Sequence, residues 1–233
     1  MWDEQIEFLG AQGYRLLAPD LLGLGENKFV GETATMDEMA RDVAALMDAA
    51  KIDRAVICGL SMGCYVAFEF VHLFPDRVAA LILCGARAPG PDEAEKRSRE
   101  EQAQRALNEG MDFAVESISS KLLARQTLAC KPDVVTRVRK MVLSTDPRGA
   151  AAAQRGMAAR RDYSDELANI SVSTLIVAGR EDGVRTPEDA EFIHRQIRAS
   201  QLVTMDDAGH LMNMEQPEKF NEVVVEFLKE LKY

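Results

Sequence analysis

Ala55-Val56-Ile57-Cys58-Gly59-Leu60-Ser61-Met62-Gly63 is the stretch that decides the fold. Its first four residues form an apolar run, β-branched at the centre and too short for a helix, which reads as a buried strand. From Cys64 to near Pro75 the pattern turns helical. A Gly-x-Ser-x-Gly turn thus joins a predicted strand to a predicted helix, the setting a nucleophile elbow requires. Glycine is needed there for steric reasons: the serine backbone is strained, and side chains at the flanking positions would collide. Such a turn lifts the serine hydroxyl above the sheet, beside the N-terminus of the next helix. Chance supplies roughly 0.04 matches to this pattern in a chain of this composition.

On either side of the elbow, strand and helix patterns alternate. Trp2, Ile6 and Leu9 fall at helical spacing, and Tyr14 to Ala18 reads as a short strand before Asp20 and the turn Gly23-Leu24-Gly25. The capping box Thr35-Met36-Asp37-Glu38 opens a helix striped by Met36, Met39, Ala40, Val43, Leu46 and Met47. Val78 to Cys84, Thr174 to Ala178 and Gln201 to Met205 are further apolar runs. Thr186-Pro187 begins a helix with a good N-cap and proline in its first position. The last helix carries Phe220, Val223, Val224, Phe227, Leu228 and Leu231 on one side. Strands that read as continuous apolar runs without in-out alternation indicate a mostly parallel sheet covered by helices on both faces, an α/β fold with five predicted strands.

The alternation stops near Ala88 and resumes near Ser173. The stretch between has helical patterns, such as Val134, Val135, Val138, Met141 and Val142, and no convincing strand. Residues 88–170 hold 14 basic and 13 acidic residues, whereas the remainder stands at 14 minus 25, or −11. The expected organisation is an α/β base of residues 1–87 and 171–233 with a helical lid at 88–170.

A net charge of −10 disfavours binding to nucleic acid, which needs clustered Lys and Arg. The longest apolar stretch, Val78 to Ala86, is too short for a bilayer span, so no membrane partner is expected. The start Met1-Trp2-Asp3-Glu4 lacks the features of a secretory signal. Cys58, Cys64, Cys84 and Cys130 contain no Cys-x-x-Cys pair, and the first three lie in apolar segments. Those three read as reduced, buried thiols of a cytoplasmic protein, and none of the four is expected to hold a metal.

A serine hydroxyl needs a base. His72 lies in the helix after the elbow and His194 in the helix from Pro187, whereas His210 sits in a loop directly after a strand and is the candidate. A carboxylate must hold the imidazole; Asp182 fits best, with Glu181, Asp206 and Asp207 as rivals. The order Ser61, Asp182, His210 is the serine–acid–histidine order of one hydrolase class.

With Asp20-x-x-Gly23-x-Gly25, the elbow, Gly179-x-x-Asp182 and Gly209-His210, nearly the whole chain resembles the α/β-hydrolases, in particular lid-bearing enol-lactone hydrolases, small carboxylesterases and cofactor-free haloperoxidases. The resemblance implies a Ser61–His210–Asp182 triad without metal or organic cofactor, acting on a small-molecule ester or lactone through an acyl-enzyme. Carbon–carbon bond hydrolysis and perhydrolysis use the same residue types. Cys64 stands where many relatives carry glycine, and Glu26-Asn27 follow Gly25 where serine is usual. Relatives also have a His-Gly loop just before the helix that here begins near Trp2. That loop supplies one oxyanion donor and the residue after the nucleophile the other, so the backbone N–H of Met62 is the only donor to be named. The sequence is expected to be an N-terminally shortened version of a longer protein, and a catalytically impaired ligand-binding protein is the rival from another class. Arg87, Arg155, Arg160 and Arg161 are candidates for a substrate carboxylate, against the plainer expectation of helix-surface charges balanced by nearby acids. Met157 and Met141 are expected to be helix core rather than pocket lining.

Overall fold

The computed structural model describes residues 1–231, by backbone alone in residues 116–120. Helices α1 (Asp3–Ala11) and α2 (Met36–Ala49) precede strand β1 (Ala55–Leu60), helix α3 (Met62–Leu73) and strand β2 (Val78–Cys84). Five helices follow: α4 (Glu93–Glu109), α5 (Asp112–Leu122), α6 (Arg125–Cys130), α7 (Pro132–Leu143) and α8 (Pro147–Ala159). The chain closes with β3 (Thr174–Gly179), α9 (Pro187–Gln196), β4 (Ser200–Met205), α10 (Met212–Glu215) and α11 (Pro217–Glu230). Among the described residues the sheet has four strands in the order β1-β2-β3-β4. Every neighbouring pair is parallel.

Side chains alternate across each strand, so the sheet feeds two cores. Leu81, Leu83, Ile176 and Ala178 pack with α2, α3 and α9 on one face. Ile82, Cys84, Leu175 and Val177 pack with Leu9 of α1 and Phe220, Val224, Phe227 and Leu228 of α11 on the other. Val134 and Val138 of α7 join this second core, so the helical insertion between β2 and β3 is seated on the base. On the opposite side α8 is fastened by a backbone bond from Ala34 N–H to the Ala152 carbonyl, 3.1 Å. The predicted capping box of α2 is formed: Thr35 Oγ1 accepts from Glu38 N–H and Glu38 Oε2 accepts from Thr35 N–H.

Two expectations fail, for one reason. Tyr14 to Ala18 is not a strand, and its Leu16 and Leu17 are exposed. A strand exists only when a neighbour takes its backbone groups, and no strand of the described residues pairs with this segment. Among the described residues β1 is accordingly an edge, paired with β2 alone, and Cys58 on it is exposed rather than buried. Cys64 and Cys84 are buried as expected, and Cys130 is exposed.

The register aligns the carboxyl ends of the strands. Leu60 lies opposite Cys84, Cys84 opposite Val177, and Gly179 opposite Met205. Ser61, Gly85, Asp182 and His210 therefore all follow within five residues of a strand end on one edge of the sheet, where open parallel sheets place their ligands.

Candidate active site

Ser61 is the N-cap of α3 and adopts φ 54° and ψ −112°, left-handed backbone for a residue with a side chain. The conformation costs energy and persists because its surroundings hold it. Ser61 N–H donates to the Cys84 carbonyl at 2.9 Å, and the Ser61 carbonyl accepts from Cys64 N–H at 2.9 Å. At Gly59 a Cβ would lie 2.3 Å from the Gly63 carbonyl oxygen, so the strand and the helix approach too closely there for any side chain. Cys64 turns its departure from glycine to use. Its Sγ lies 3.1 Å from the Gly59 carbonyl and 3.3 Å from that of Cys84, and burial pushes the thiol pKa well up, so it stays a protonated donor.

His210 and Asp182 meet across the ends of β3 and β4. His210 Nδ1 lies 2.7 Å from Asp182 Oδ2, with both side chains buried. A carboxylate can only accept, so Nδ1 carries the hydrogen and Nε2 is left as the free acceptor. Asp182 Oδ1 accepts from Val184 and Arg185 N–H, each at 2.8 Å, which fixes the carboxylate on its own turn. The rivals are engaged elsewhere: Glu181 pairs with Arg125, Asp206 pairs with Arg180, and Asp207 is exposed. His72 pairs with Glu166 at 3.1 Å, and His194 Nδ1 meets Ser200 Oγ at 2.8 Å; both are surface residues.

Gly85 ties serine and histidine to one corner. It follows Cys84, whose carbonyl receives Ser61 N–H, and it has φ +54°. A Cβ there would lie 2.9 Å from His210 Cε1 and 3.3 Å from Asp182 Oδ2. Met62, the first residue of α3, has no carbonyl one turn back for its N–H, which is directed out of the helix end.

Each of the four arginines is paired with acids as expected, but Arg160 is buried rather than a helix-surface charge. Arg155 pairs with Glu100 through two bonds of 3.0 Å, and Arg161 with Glu69 and Glu166. Arg87, Arg99 and Arg160 converge on Glu95 at 3.0, 2.8 and 3.2 Å, with Arg185 3.6 Å away. Burial of Glu95 opposes its ionisation, yet Arg99 and Arg160 bring its pKa down to about 2. Arg160 also stacks over the Tyr65 ring at 4.3 Å, and Arg185 Nη2 donates to Tyr65 Oη at 2.7 Å. This network joins both connections of the insertion to α3 and to the turn after Asp182. Sequence reading missed Glu95, Arg185 and Tyr65, because nothing local distinguishes them from surface charge and core. Met157 and Met141 pack at the edges of the two cores. Asp20 closes the Gly23–Gly25 turn by accepting Glu26 N–H at 2.9 Å, and Asn27 Nδ2 donates to the Asp20 carbonyl at 3.0 Å.

The profile of the alpha/beta hydrolase fold matches residues 1–217. The chain belongs to the α/β-hydrolase fold family. It is 30% identical over 231 residues to 3-oxoadipate enol-lactonase 1 of Acinetobacter baylyi, covering 99% of this chain and 84% of that protein. A thermophilic esterase from Thermogutta terrifontis, solved with malate bound, superimposes with a TM-score of 0.97 at 39% identity, over 100% of this chain and 85% of the other. The enol-lactonase of Burkholderia xenovorans gives 0.90 at 28% identity, over 98% and 86%. Among the described residues of this α/β-hydrolase, no cluster of His, Cys, Asp and Glu could hold a metal ion. No helix among them is long and apolar enough to cross a membrane.

Proposed function

We propose that this α/β-hydrolase is a serine hydrolase that cleaves a small-molecule carboxylic ester or lactone through an acyl-enzyme. The observation that carries the reading is the buried 2.7 Å bond between His210 and Asp182, which Gly85 and the Cys84 carbonyl connect to the strained turn at Ser61. The similarity to an enol-lactonase and to an esterase supports the substrate class. In the first half-reaction Ser61 Oγ attacks the carbonyl carbon and His210 Nε2 takes the hydroxyl proton. Asp182 holds the ring in the tautomer that can accept at Nε2 and stabilises the imidazolium. Met62 N–H donates to the oxyanion. The imidazolium returns the proton to the leaving alkoxide, which in a lactone stays tethered as the hydroxyl of the acyl group. Water then attacks the acyl-enzyme with His210 as base, regenerating Ser61. These steps call for no metal and no organic cofactor. The helices at 88–170 act as a lid over the carboxyl edge of the sheet and shape the pocket.

The test is covalent labelling with a fluorophosphonate probe together with release of p-nitrophenol from a short-chain p-nitrophenyl ester. Wild type is expected to be labelled and to turn over, and Ser61→Ala to do neither. Equal turnover by the two proteins would remove Ser61 as the nucleophile.

A further inference from the structure

Glu215 is a buried carboxylate to which the steps above give no task. It ends α10 with no exposed surface, five residues after His210. Each of its oxygens receives a backbone N–H from a different part of the chain. Oε1 accepts from Gly209, the residue before His210, at 2.8 Å. Oε2 accepts from Ala124, in the insertion, at 2.7 Å. The carboxylate thus bridges the histidine loop to the lid at a position where both are buried.

The same stretch of the lid makes further backbone bonds to the site. The Leu122 carbonyl accepts His210 N–H at 2.7 Å and Leu211 N–H at 3.3 Å, and the Lys121 carbonyl accepts Gly183 N–H, next to Asp182, at 3.1 Å. Residues 121–124 therefore run between the loop that carries the acid and the loop that carries the base, bonded to both. The approach is close: a Cβ at Gly209 would lie 2.7 Å from both Ala124 N and the Leu122 carbonyl oxygen. Lys131 adds a bond from its ammonium to the Glu215 backbone carbonyl.

We propose that Glu215 is a positioning residue that acts through His210: its carboxylate locks lid residues 122–124 against the Gly209-His210 loop, so that the seating of the lid and the placement of the imidazole are one structural unit. A carboxylate suits this task because it offers acceptors in two directions and no donor. Glutamine has the same shape, but its amide group would face one of the two N–H donors with another donor, leaving a buried group unpaired. Aliphatic replacement would leave both unpaired. The role in catalysis rests on the serine-hydrolase reading; the structural link does not.

The experiment cuts the link from each side in the full-length chain. Glu215→Gln removes one acceptor. Ala124→Pro removes the donor from the lid and puts a methylene between that nitrogen and Oε2, while the backbone already suits proline: Ala124 has φ −64° and the preceding Leu123 is extended at φ −116°, ψ 142°. The readouts are near-ultraviolet circular dichroism for folding, the low-field proton resonance of His210 Nδ1, the fluorophosphonate labelling rate, and kcat and KM on a p-nitrophenyl ester. The resonance is assigned by its loss in His210→Gln. Both variants are expected to fold, to shift or broaden the resonance, and to lower labelling and kcat about tenfold or more with KM nearly unchanged, as misplacement of a reacting group does. The double variant is expected to lose no more than the worse single one, because both cut the same link. A folded Glu215→Gln protein with an unchanged resonance and labelling rate would overturn the proposal, as would losses that multiply in the double variant. Should Glu215→Gln fail to fold, Ala124→Pro decides by the same readouts. Absence of labelling in wild type would count against the serine-hydrolase reading alone, and the resonance would still decide the role of Glu215.

Discussion

Gly85→Ala tests the geometry of the site at its narrowest point. The substitution adds one methyl group and has two separable costs. The first is backbone: φ is +54°, where an alanine costs about 1–2 kcal/mol. At about 2–4 °C per kcal/mol for a protein of this size, Tm should fall by about 2–8 °C. The second is steric and falls on the imidazole. The new Cβ would lie 2.9 Å from His210 Cε1 and 3.0 Å from Nδ1. Carbon atoms in contact prefer about 3.5–4.0 Å, so the ring must retreat by about 0.6–1 Å or the strand end must shift by as much. His210 is only 3% exposed, which leaves it little room, and its 2.7 Å bond to Asp182 must lengthen. A displacement of that size costs on the order of a hundredfold in rate. The assay is kcat/KM on a short-chain p-nitrophenyl ester alongside thermal unfolding, with Gly110→Ala as the comparison. Gly110, at φ +75° and ψ −159° in a region that only glycine adopts readily, has nothing within 4 Å of an added Cβ, so it bears a backbone cost and no steric one and should keep full activity. If Gly85→Ala loses no more activity than Gly110→Ala, the close approach of Gly85 to the histidine is not what shapes this site.

Two further substitutions probe the charges. Asp182→Asn keeps an oxygen for the N–H groups of Val184 and Arg185 and can turn its amide group to His210 Nδ1, which favours the wrong tautomer; kcat should fall about 10⁴-fold with KM little changed. A loss below tenfold would remove Asp182 from its role. Glu95 has a pKa depressed from the ordinary 4.5 to about 2 in the folded protein, so its stabilising contribution is full above pH 4.5 and is lost as pH falls toward 2. Urea midpoints measured across that window should fall more steeply for wild type than for Glu95→Gln, and parallel profiles would show that the arginine cluster does not depend on this carboxylate.

Much of the site was legible because its signals are local. The elbow is recognisable from five residues, since steric demands at Gly59 and Ser61 act within one turn of chain. The capping box at Thr35 and the apolar runs of the four paired strands are equally local. Its place after a strand singles out Asp182 over Glu181, Asp206 and Asp207, and in the fold its Oδ2 lies 2.7 Å from His210 Nδ1. The strand expected at Tyr14 and the burial expected for Cys58 had no such footing, because both depend on a neighbouring strand at the β1 edge. Glu215 is one acidic residue among 38, and no pattern in its vicinity announces a buried acceptor for two distant N–H groups.

The sequence by itself determined the parallel α/β architecture and the helical nature of the insertion, and it singled out Ser61, Asp182 and His210 as candidates for nucleophile, acid and base, because periodicity and turn sterics are written in neighbouring residues. Tertiary structure decided which of those groups touch. Parallel register aligned the strand ends so that β3 and β4 deliver Asp182 and His210 to one point, on the sheet edge where β1 delivers Ser61. It also decided that the arginines are spent on Glu95, Glu100, Glu69 and Glu166, and that the insertion is bonded into the acid and histidine loops. Hydrogen bonds and ion pairs reach only about 3–4 Å, and which residues come within that reach is set by the folding of the whole chain.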